Sequence, residues 1–404
     1  MTSSDDRAYP IREAFRLFFP GFLERHPDLP SNVQRVAECI MRCKTGELGY
    51  NIDICEQCGA PRIHACSCNN RSCTCCQAAL ERKWEASRNT ELIRGIAYYH
   101  IVFTVPHELN PLFGANMKPL LDLLFKCVQD TLLSLCEDRR YMGARPGIIS
   151  VLHTWGQKLN FHPHIHTCVS GGGITPDGRF RETCHKGFFI PEKVIAASFR
   201  GRFLCGLKKL HEDGSLKIPD SMDGLNAPEG WRDYINGLFN KRWLPFVKET
   251  FNGKGNAIKY LARYSFRTAI ANSRIVSVNE KTVTFRYKDY ADHNAEKTMT
   301  LPGEQFIGLF LRHVLPKGFN RTRFSGYLTN CRKTRNLRLI NKLRHRTYNG
   351  NPYASMKTAD LMFALYKIDI SRCSICHGKM IHHARAQPKS ALPSLQAQHN
   401  PAMC

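Results

Sequence analysis

A chain of 404 residues exceeds one small core and fits two or three domains of the usual size, roughly 100–200 residues each. Its 58 Lys+Arg against 34 Asp+Glu leave +24 with histidine neutral, and 43% hydrophobic with 10% aromatic content excludes a disordered basic tail. A folded cation of that charge favours polyanions, nucleic acid first and an anionic membrane surface second.

Nine of the 18 cysteines fall between Cys39 and Cys76, and the start, MTSSDDRAYP, is polar and acidic rather than a secretory signal. Clustered thiols in a reducing compartment point to metal, not to a disulfide scaffold. The most apolar stretch, Met117 to Cys136, is broken by Lys118, Asp122, Lys126, Gln129 and Asp130, so no membrane span is expected. A soluble, cytoplasmic protein is expected.

In chain order, Ile11 to Leu23 reads as an amphipathic helix ahead of the cysteine cluster. Tyr98 to Val105 is a β-branched and aromatic run stopped by Pro106, which predicts a strand. A long helix follows from Lys118 to Glu137, then strands over Ile148 to His153 and His164 to Ser170, joined through Gly156 and Asn160. Gly171-Gly172-Gly173 and Pro176-Asp177-Gly178 read as turn chemistry, with helices from Glu192 and Trp231. Asn256 to Ile270 predicts a further helix, and Arg274 to Val278 with Thr282 to Tyr287 a hairpin. Arg312 to Arg346 holds 11 Lys/Arg and no acid, and the tail beyond Arg385 has no periodicity and is expected to be disordered. The domains expected are 1–92 (helix and zinc-binding), 93–310 (catalytic), 311–385 (basic) and a tail over 386–404.

Three constellations carry chemistry. Cys55-x-x-Cys58 and Cys73-x-x-Cys76 enclose fourteen residues, close to the spacing with which two knuckles close a tetrahedral Zn²⁺ site. Four sulfurs leave no open position, so such a zinc is structural. Cys43, His64, Cys66, Cys68 and Cys75 remain for a second site or as alternative ligands, and Arg62, Arg71, Arg82 and Lys83 are available to face DNA. Buried thiols without metal are the competing explanation.

In His162-Pro163-His164-Ile165-His166, strand alternation puts His164 and His166 on one face, where two imidazoles make half of a divalent-ion site while Ile165 packs inward. His162 shares that face if Pro163 leaves the strand undistorted. A histidine-rich solvent edge would give the same letters.

Tyr260 and Tyr264 lie at i and i+4, on one face of the expected helix, with Lys259, Arg263 and Arg267 beside them for phosphate. Alone, such a pair is more often core packing than catalysis. A phenol with a pKa of about 10 is a weak nucleophile at neutral pH, and an adjacent metal ion that polarises the phosphorus can make it competent.

Together, the cysteine-rich segment ending in NNRSCTCCQ, then LHTWGQ before HPHIH, then YLARYSFRTAI and RHVLPKGFNRTRFSGYL, resemble the two-tyrosine HUH transposases of rolling-circle insertion sequences, the insertion sequence ninety-one type, over about residues 10–350. The resemblance implies an α+β fold: an antiparallel-sheet HUH endonuclease domain with its HUH strand central and the tyrosine helix packed beside it, a small zinc-ribbon-like domain before it and a helical basic region after it. It implies Mg²⁺ or Mn²⁺ on His164 and His166, Tyr260 and Tyr264 as nucleophiles, and single-stranded DNA at transposon ends and target as partner, in the cytoplasm of a bacterium and associated with its nucleoid. No nucleotide cofactor is implied, because a 5′-phosphotyrosine conserves the phosphodiester's energy for rejoining. Relatives read roughly CPKCQ where this chain has Cys73-Thr74-Cys75-Cys76-Gln77, so the extra cysteine leaves the zinc ligand set open.

Two histidines do not fill the shell of a hard ion. His153 ranks first as third ligand because the strand pair would bring it across from the HUH strand; Gln157, His162 or a polar group on the tyrosine helix are the alternatives. In the basic region Arg321, Arg323, Arg332, Lys333, Arg335 and Arg338 are expected to meet the DNA backbone, with Phe319, Phe324 and Tyr327 interleaved for base stacking. Cys373-x-x-Cys376 with His377, His382 and His383 is a further candidate zinc site, with no second knuckle left to pair with it. The competing functions are a replication initiator of the same fold and a non-catalytic zinc-dependent DNA-binding protein.

Overall fold

The computed structural model describes residues 9–183, 189–243, 245–250 and 269–387. Tyr260, Arg263, Tyr264 and Arg267 lie outside them, as does the tail from 388.

The N-terminal amphipathic run forms α1 (Pro10–Arg25), with Pro at its first turn where no donor is lost, followed by α2 (Ser31–Arg42). Strands β1 (Tyr50–Cys55) and β2 (Pro61–Ala65) form a hairpin, and α3 (Ala78–Asn89) leads on to β3 (Tyr98–Thr104). After α4 (Asn110–Ala115) and α5 (Met117–Glu137) come β4 (Arg145–Trp155), β5 (Phe161–Ile174) and the short β6 (Phe180–Glu182). Helices α6 (Glu192–Glu212) and α7 (Pro228–Asn240) precede β7 (Phe246–Thr250). A meander of β8 (Ile275–Val278), β9 (Thr282–Asp289) and β10 (Ala295–Pro302) runs into α8 (Gly303–Leu311). The chain continues through β11 (Thr322–Gly326), α9 (Lys333–Leu343), α10 (Thr358–Tyr366) and β12 (Met380–Ala386). Among the described residues no helix is long and apolar enough to cross a membrane.

The principal sheet is antiparallel, in the order β11-β4-β5-β3-β7, with β6 paired to β5. The strand that carries the three histidines is therefore central, paired on both sides, and held in one register by a buried face. That face presents Ile101, Phe103, Ile148, Leu152, Ile165 and Val169 to the core formed with α5 and α6. Parity turns the other residues the opposite way: Tyr98, Ile149, Val151 and Cys168 pack with Tyr327, Leu337 and Ile340 on the second face. A third cluster joins α1 and α2 to α8 and the meander, and it includes Cys43, Cys73 and Cys75.

Two expectations are corrected by the backbone. Gly171-Gly172-Gly173 belongs to β5 rather than to a turn. A Cβ at Gly171 would meet the Ala97 carbonyl at 3.0 Å and one at Gly173 would collide with the Arg145 backbone, so close strand approach explains these glycines. The boundary expected after residue 385 falls inside a strand: β12 runs to Ala386 and pairs with β1, placing a C-terminal strand in the sheet order β12-β1-β2.

Candidate active site and metal centres

His153 on β4 stands directly opposite His164 on β5, and His166 follows two residues along the same face. One ring nitrogen from each of His153, His164 and His166 falls within 4.8 Å of the others. His153 and His166 are almost fully buried, at 2% and 6% exposure. The Nδ1–H of His164 donates to the His162 carbonyl at 2.7 Å, so a metal held by His164 binds Nε2. His166 Nδ1 lies 3.0 Å from His100 Nε2 on β3, which turns the opposite nitrogen, Nε2, to a metal. Burial pulls the His164 pKa down to about 4, and burial with the Lys248 charge does the same to His100. Both rings are therefore neutral at pH 7, the protonation state that binds a cation.

His162 is not in this cluster. The β4–β5 register shifts between His153 and Trp155, opposite the His162-Pro163 step, so the proline does distort the strand there. Gln157 is held by the meander, donating to the Tyr290 hydroxyl at 3.0 Å.

The thiols divide differently from the sequence expectation. Cys55, Cys58, Cys73 and Cys76 do not converge on one site: Cys73 and Cys76 meet Cys43 and Cys68, while Cys55 and Cys58 meet Cys373 and Cys376. Both groups place their sulfurs within 4.8 Å of one another. In the first, the Cys68 and Cys76 sulfurs are 3.8 Å apart, close to the edge of a tetrahedron with Zn–S bonds of about 2.3 Å. Amide donors face its sulfurs: Cys68 N–H to Cys43 at 3.5 Å, Asn70 N–H to Cys68 at 3.4 Å, Cys75 N–H to Cys73 at 3.3 Å and the Gln77 side chain to Cys76 at 3.8 Å. Such donors stabilise thiolates, and contacts from Cys68, Cys73, Cys75 and Cys76 hold Cys43 far below the ordinary thiol range. Arg12, at 2% exposure, donates to the Cys43 carbonyl at 3.1 Å and sets a cation beside thiolates whose charge exceeds that of a divalent ion. Cys75, the extra cysteine, is outside the group of four. In the second group the backbone N–H groups of Cys58 and Gln57 draw the Cys55 thiol down to about 6. His377, His382 and His383 are not among its donors; His382 Nδ1 lies 3.3 Å from Asp53.

In the basic region the base-stacking expectation is corrected, and part of the charge is answered from elsewhere in the chain: Arg323 pairs with Asp122, Lys333 with Glu91 at 2.7 Å, and Arg344 with Glu182. Arg321 is half-buried, and burial, with the charge of Arg71, lowers its pKa to about 10. Phe319 and Tyr327, expected to stack on bases, are core residues at 3% and 2% exposure, and Phe324 is half-buried beside Lys333. Arg332, Arg335 and Arg338 are exposed along α9 and its first flank.

Sequence reasoning gave Cys43 and Cys68 no specific partner and did not find His100 at all. Strand parity was the available signal for His100, since Tyr98, His100 and Val102 share a face of β3 and Val102 opposes His166.

An antiparallel sheet whose central strand presents His-x-His, joined to an N-terminal cysteine-rich region, is the build of an HUH nuclease fold with a zinc-binding domain. Residues 147–335 match a family model described as "Putative transposase", and residues 14–105 match the "Transposase zinc-binding domain" of the IS91 family. The chain is 38% identical over 320 residues to the "Putative transposase y4qJ" of Sinorhizobium fredii, covering 79% of this chain and 80% of that one. It is 28% identical over 359 residues to the "Transposase for insertion sequence element IS801" of Pseudomonas savastanoi pv. phaseolicola, covering 85% and 82%. Solved structures with some likeness include the conjugative relaxase TrwC with oriT DNA: a metal-free form at 14% identity, 45% of this chain, 67% of that one and a TM-score of 0.25, and a metal-bound form at 13%, 62%, 90% and 0.27. The chain belongs to the IS91 family of HUH-type, two-tyrosine transposases.

Proposed function

We propose that this transposase cuts and rejoins single-stranded DNA at the ends of a rolling-circle element, and at its target, by transesterification through Tyr260 and Tyr264. The observation that supports this most is the convergence of His153, His164 and His166 on the central strand. A divalent ion held there would polarise a backbone phosphate and offset the charge that builds on it. Imidazole donors favour a transition ion over Mg²⁺, so Mn²⁺ is the first ion to test.

The remaining steps belong to the chain. One tyrosine loses its phenolic proton and attacks phosphorus in line, forming a Tyr–O–P bond as the bond to the 3′ oxygen breaks. The departing 3′ oxygen takes up a proton, leaving a 5′-phosphotyrosine and a free 3′-OH. A 3′-OH from another strand reverses the step and releases the tyrosine, with no nucleotide cofactor. Two tyrosines let two such links coexist. Arg263 and Arg267, beside them in sequence, and Arg332, Arg335 and Arg338, exposed near α9, are the proposed contacts to the strand. Structural Zn²⁺ is assigned to Cys43, Cys68, Cys73 and Cys76, where every sulfur faces an amide donor. The reaction belongs where bacterial DNA is, in the cytoplasm.

Covalent capture tests the reading. Labelled single-stranded element ends with Mn²⁺ should give a denaturation-resistant protein–DNA adduct that the Tyr260→Phe/Tyr264→Phe double variant does not form. No adduct from wild type, or one that survives in the double variant, overturns the mechanism.

A further inference from the structure

We infer that Cys55, Cys58, Cys373 and Cys376 hold a second structural Zn²⁺, in a zinc ribbon divided between two segments that flank the nuclease in sequence. The matched zinc-binding segment, residues 14–105, contains only the first pair. The inference does not depend on the DNA-cutting reading.

The two cysteine turns are copies of one another. In Cys55-Glu56-Gln57-Cys58-Gly59-Ala60, Cys55 N–H donates to the Ala60 carbonyl at 3.0 Å and Gly59 N–H to the Cys55 carbonyl at 3.0 Å. In Cys373-Ser374-Ile375-Cys376-His377-Gly378, Cys373 N–H donates to the Gly378 carbonyl at 2.8 Å and His377 N–H to the Cys373 carbonyl at 3.1 Å. The fifth residue is left-handed in both, Gly59 at φ +69° and His377 at φ +58°. Histidine accepts that conformation only at a cost that glycine avoids, so the turn is held by its surroundings. Ile375 N–H points at the Cys373 sulfur at 3.4 Å, as the amides of Gln57 and Cys58 face that of Cys55. Each turn thus presents two sulfurs over a cradle of N–H donors, the local chemistry of a zinc knuckle.

The turns face each other. Cys55 and Cys376 sulfurs are 3.4 Å apart and Cys58 and Cys373 sulfurs 3.7 Å. These separations are too long for a disulfide of about 2.05 Å and near the 3.8 Å or so between ligands of a tetrahedral Zn–S site. The backbone supplies the approach independently of the thiols: β12 pairs with β1 from Tyr50↔Ala386 to Cys55↔Met380, and Glu56 N–H donates to the Lys379 carbonyl at 2.9 Å. Zinc binding here displaces the thiol protons and leaves no coordination position open, so its role is structural.

Zinc content of the full-length protein tests the site. Wild type should carry two zinc ions per chain. Cys55→Ser/Cys58→Ser and Cys373→Ser/Cys376→Ser should each carry one, and the variant with all four replaced should also carry one, because both pairs serve a single ion. One zinc in wild type, two in either double variant, or none in the quadruple variant overturns the inference. If the variants do not fold, the alkylation pattern of the wild type decides. In the zinc-loaded protein Cys55, Cys58, Cys373 and Cys376 should resist alkylation together and become reactive together on chelation, read residue by residue by mass spectrometry. Free alkylation of Cys373 and Cys376 while zinc is bound refutes the site.

Discussion

His100 and His166 lie on neighbouring strands with His100 Nε2 3.0 Å from His166 Nδ1 and their ring planes within 8° of parallel. One proton between these nitrogens fixes the tautomer and the orientation of the metal-facing ring, the role that an outer carboxylate or carbonyl commonly fills. His100→Ala should weaken Mn²⁺ binding roughly 10–100-fold, measured by calorimetric titration, and His100→Gln should recover part of the loss by restoring a hydrogen-bonding group. Unchanged Mn²⁺ affinity in His100→Ala would show that the pair is only packing.

The three-histidine cluster predicts a contrast between two neighbours of His164. His153→Ala should abolish measurable Mn²⁺ binding and metal-dependent adduct formation. His162→Ala should leave the Mn²⁺ dissociation constant within about threefold of wild type, since the loss of a non-ligand costs well under 1 kcal/mol. Its part in the site is the backbone carbonyl that orients His164, and alanine retains that carbonyl. Equal losses from both substitutions would place His162 in the ligand set.

Acid should destabilise the protein in a window above that of its carboxylates. His100 and His313 are 6% and 8% exposed, and burial lowers both to about 4, against about 6.5 in an unfolded chain. Below pH 6.5 the unfolded state takes up protons that the folded state refuses, so the stability present above 6.5 is lost as pH falls toward 4. Across both rings the loss is on the order of a few kcal/mol. Urea midpoints for the metal-free protein should fall over that interval and fall less steeply in His313→Gln, where His100 and His164 still titrate; a flat profile in wild type contradicts the burial argument.

The arginines of the basic region should separate into two groups. Replacing Arg332, Arg335 and Arg338 together by alanine should reduce the slope of log affinity for single-stranded DNA against log salt by about 2, at ~0.7 per phosphate contact, with little change in unfolding midpoint. Arg323→Ala should do the opposite. Arg323 pairs with Asp122 and stacks over Phe125 at 4.2 Å, so its loss should cost about 1–2 kcal/mol of stability and leave the salt slope near wild type. A reduced slope in Arg323→Ala would return it to the DNA interface.

The sheet was legible because its strands carry local signals: the Tyr98 run, the Ile148 run and the alternation after His164 all lie in β3, β4 and β5. The same alternation, with a turn between β4 and β5, was enough to bring His153 opposite His164. The grouping of the cysteines was not legible by spacing, since the spacing rule pairs the nearest knuckles. Cys73 and Cys76 reach back instead to Cys43 at the end of α2, in a core shared with α8 and the meander, and the Cys55 knuckle waits for a partner more than 300 residues away. Long-range strand pairing leaves no periodic mark on either segment. In the basic region charge density alone did not separate the residues paired within the fold from the exposed ones, because Glu91, Asp122 and Glu182, which pair with Lys333, Arg323 and Arg344, come from other parts of the chain.

Because β12 lies against β1, the order of synthesis differs from the order of assembly. Between Cys58 and Cys373 there are 314 residues, which a ribosome adds in about 15–65 s at ~5–20 residues per second. For that interval β1 has β2 on one edge and nothing on the other, and the first thiol pair has no mate. The sheet that begins near the start of the chain is therefore among the last parts to close, after the nuclease strands have been made, and a ribosome that stopped after β11 would release those strands beside a half-built ribbon.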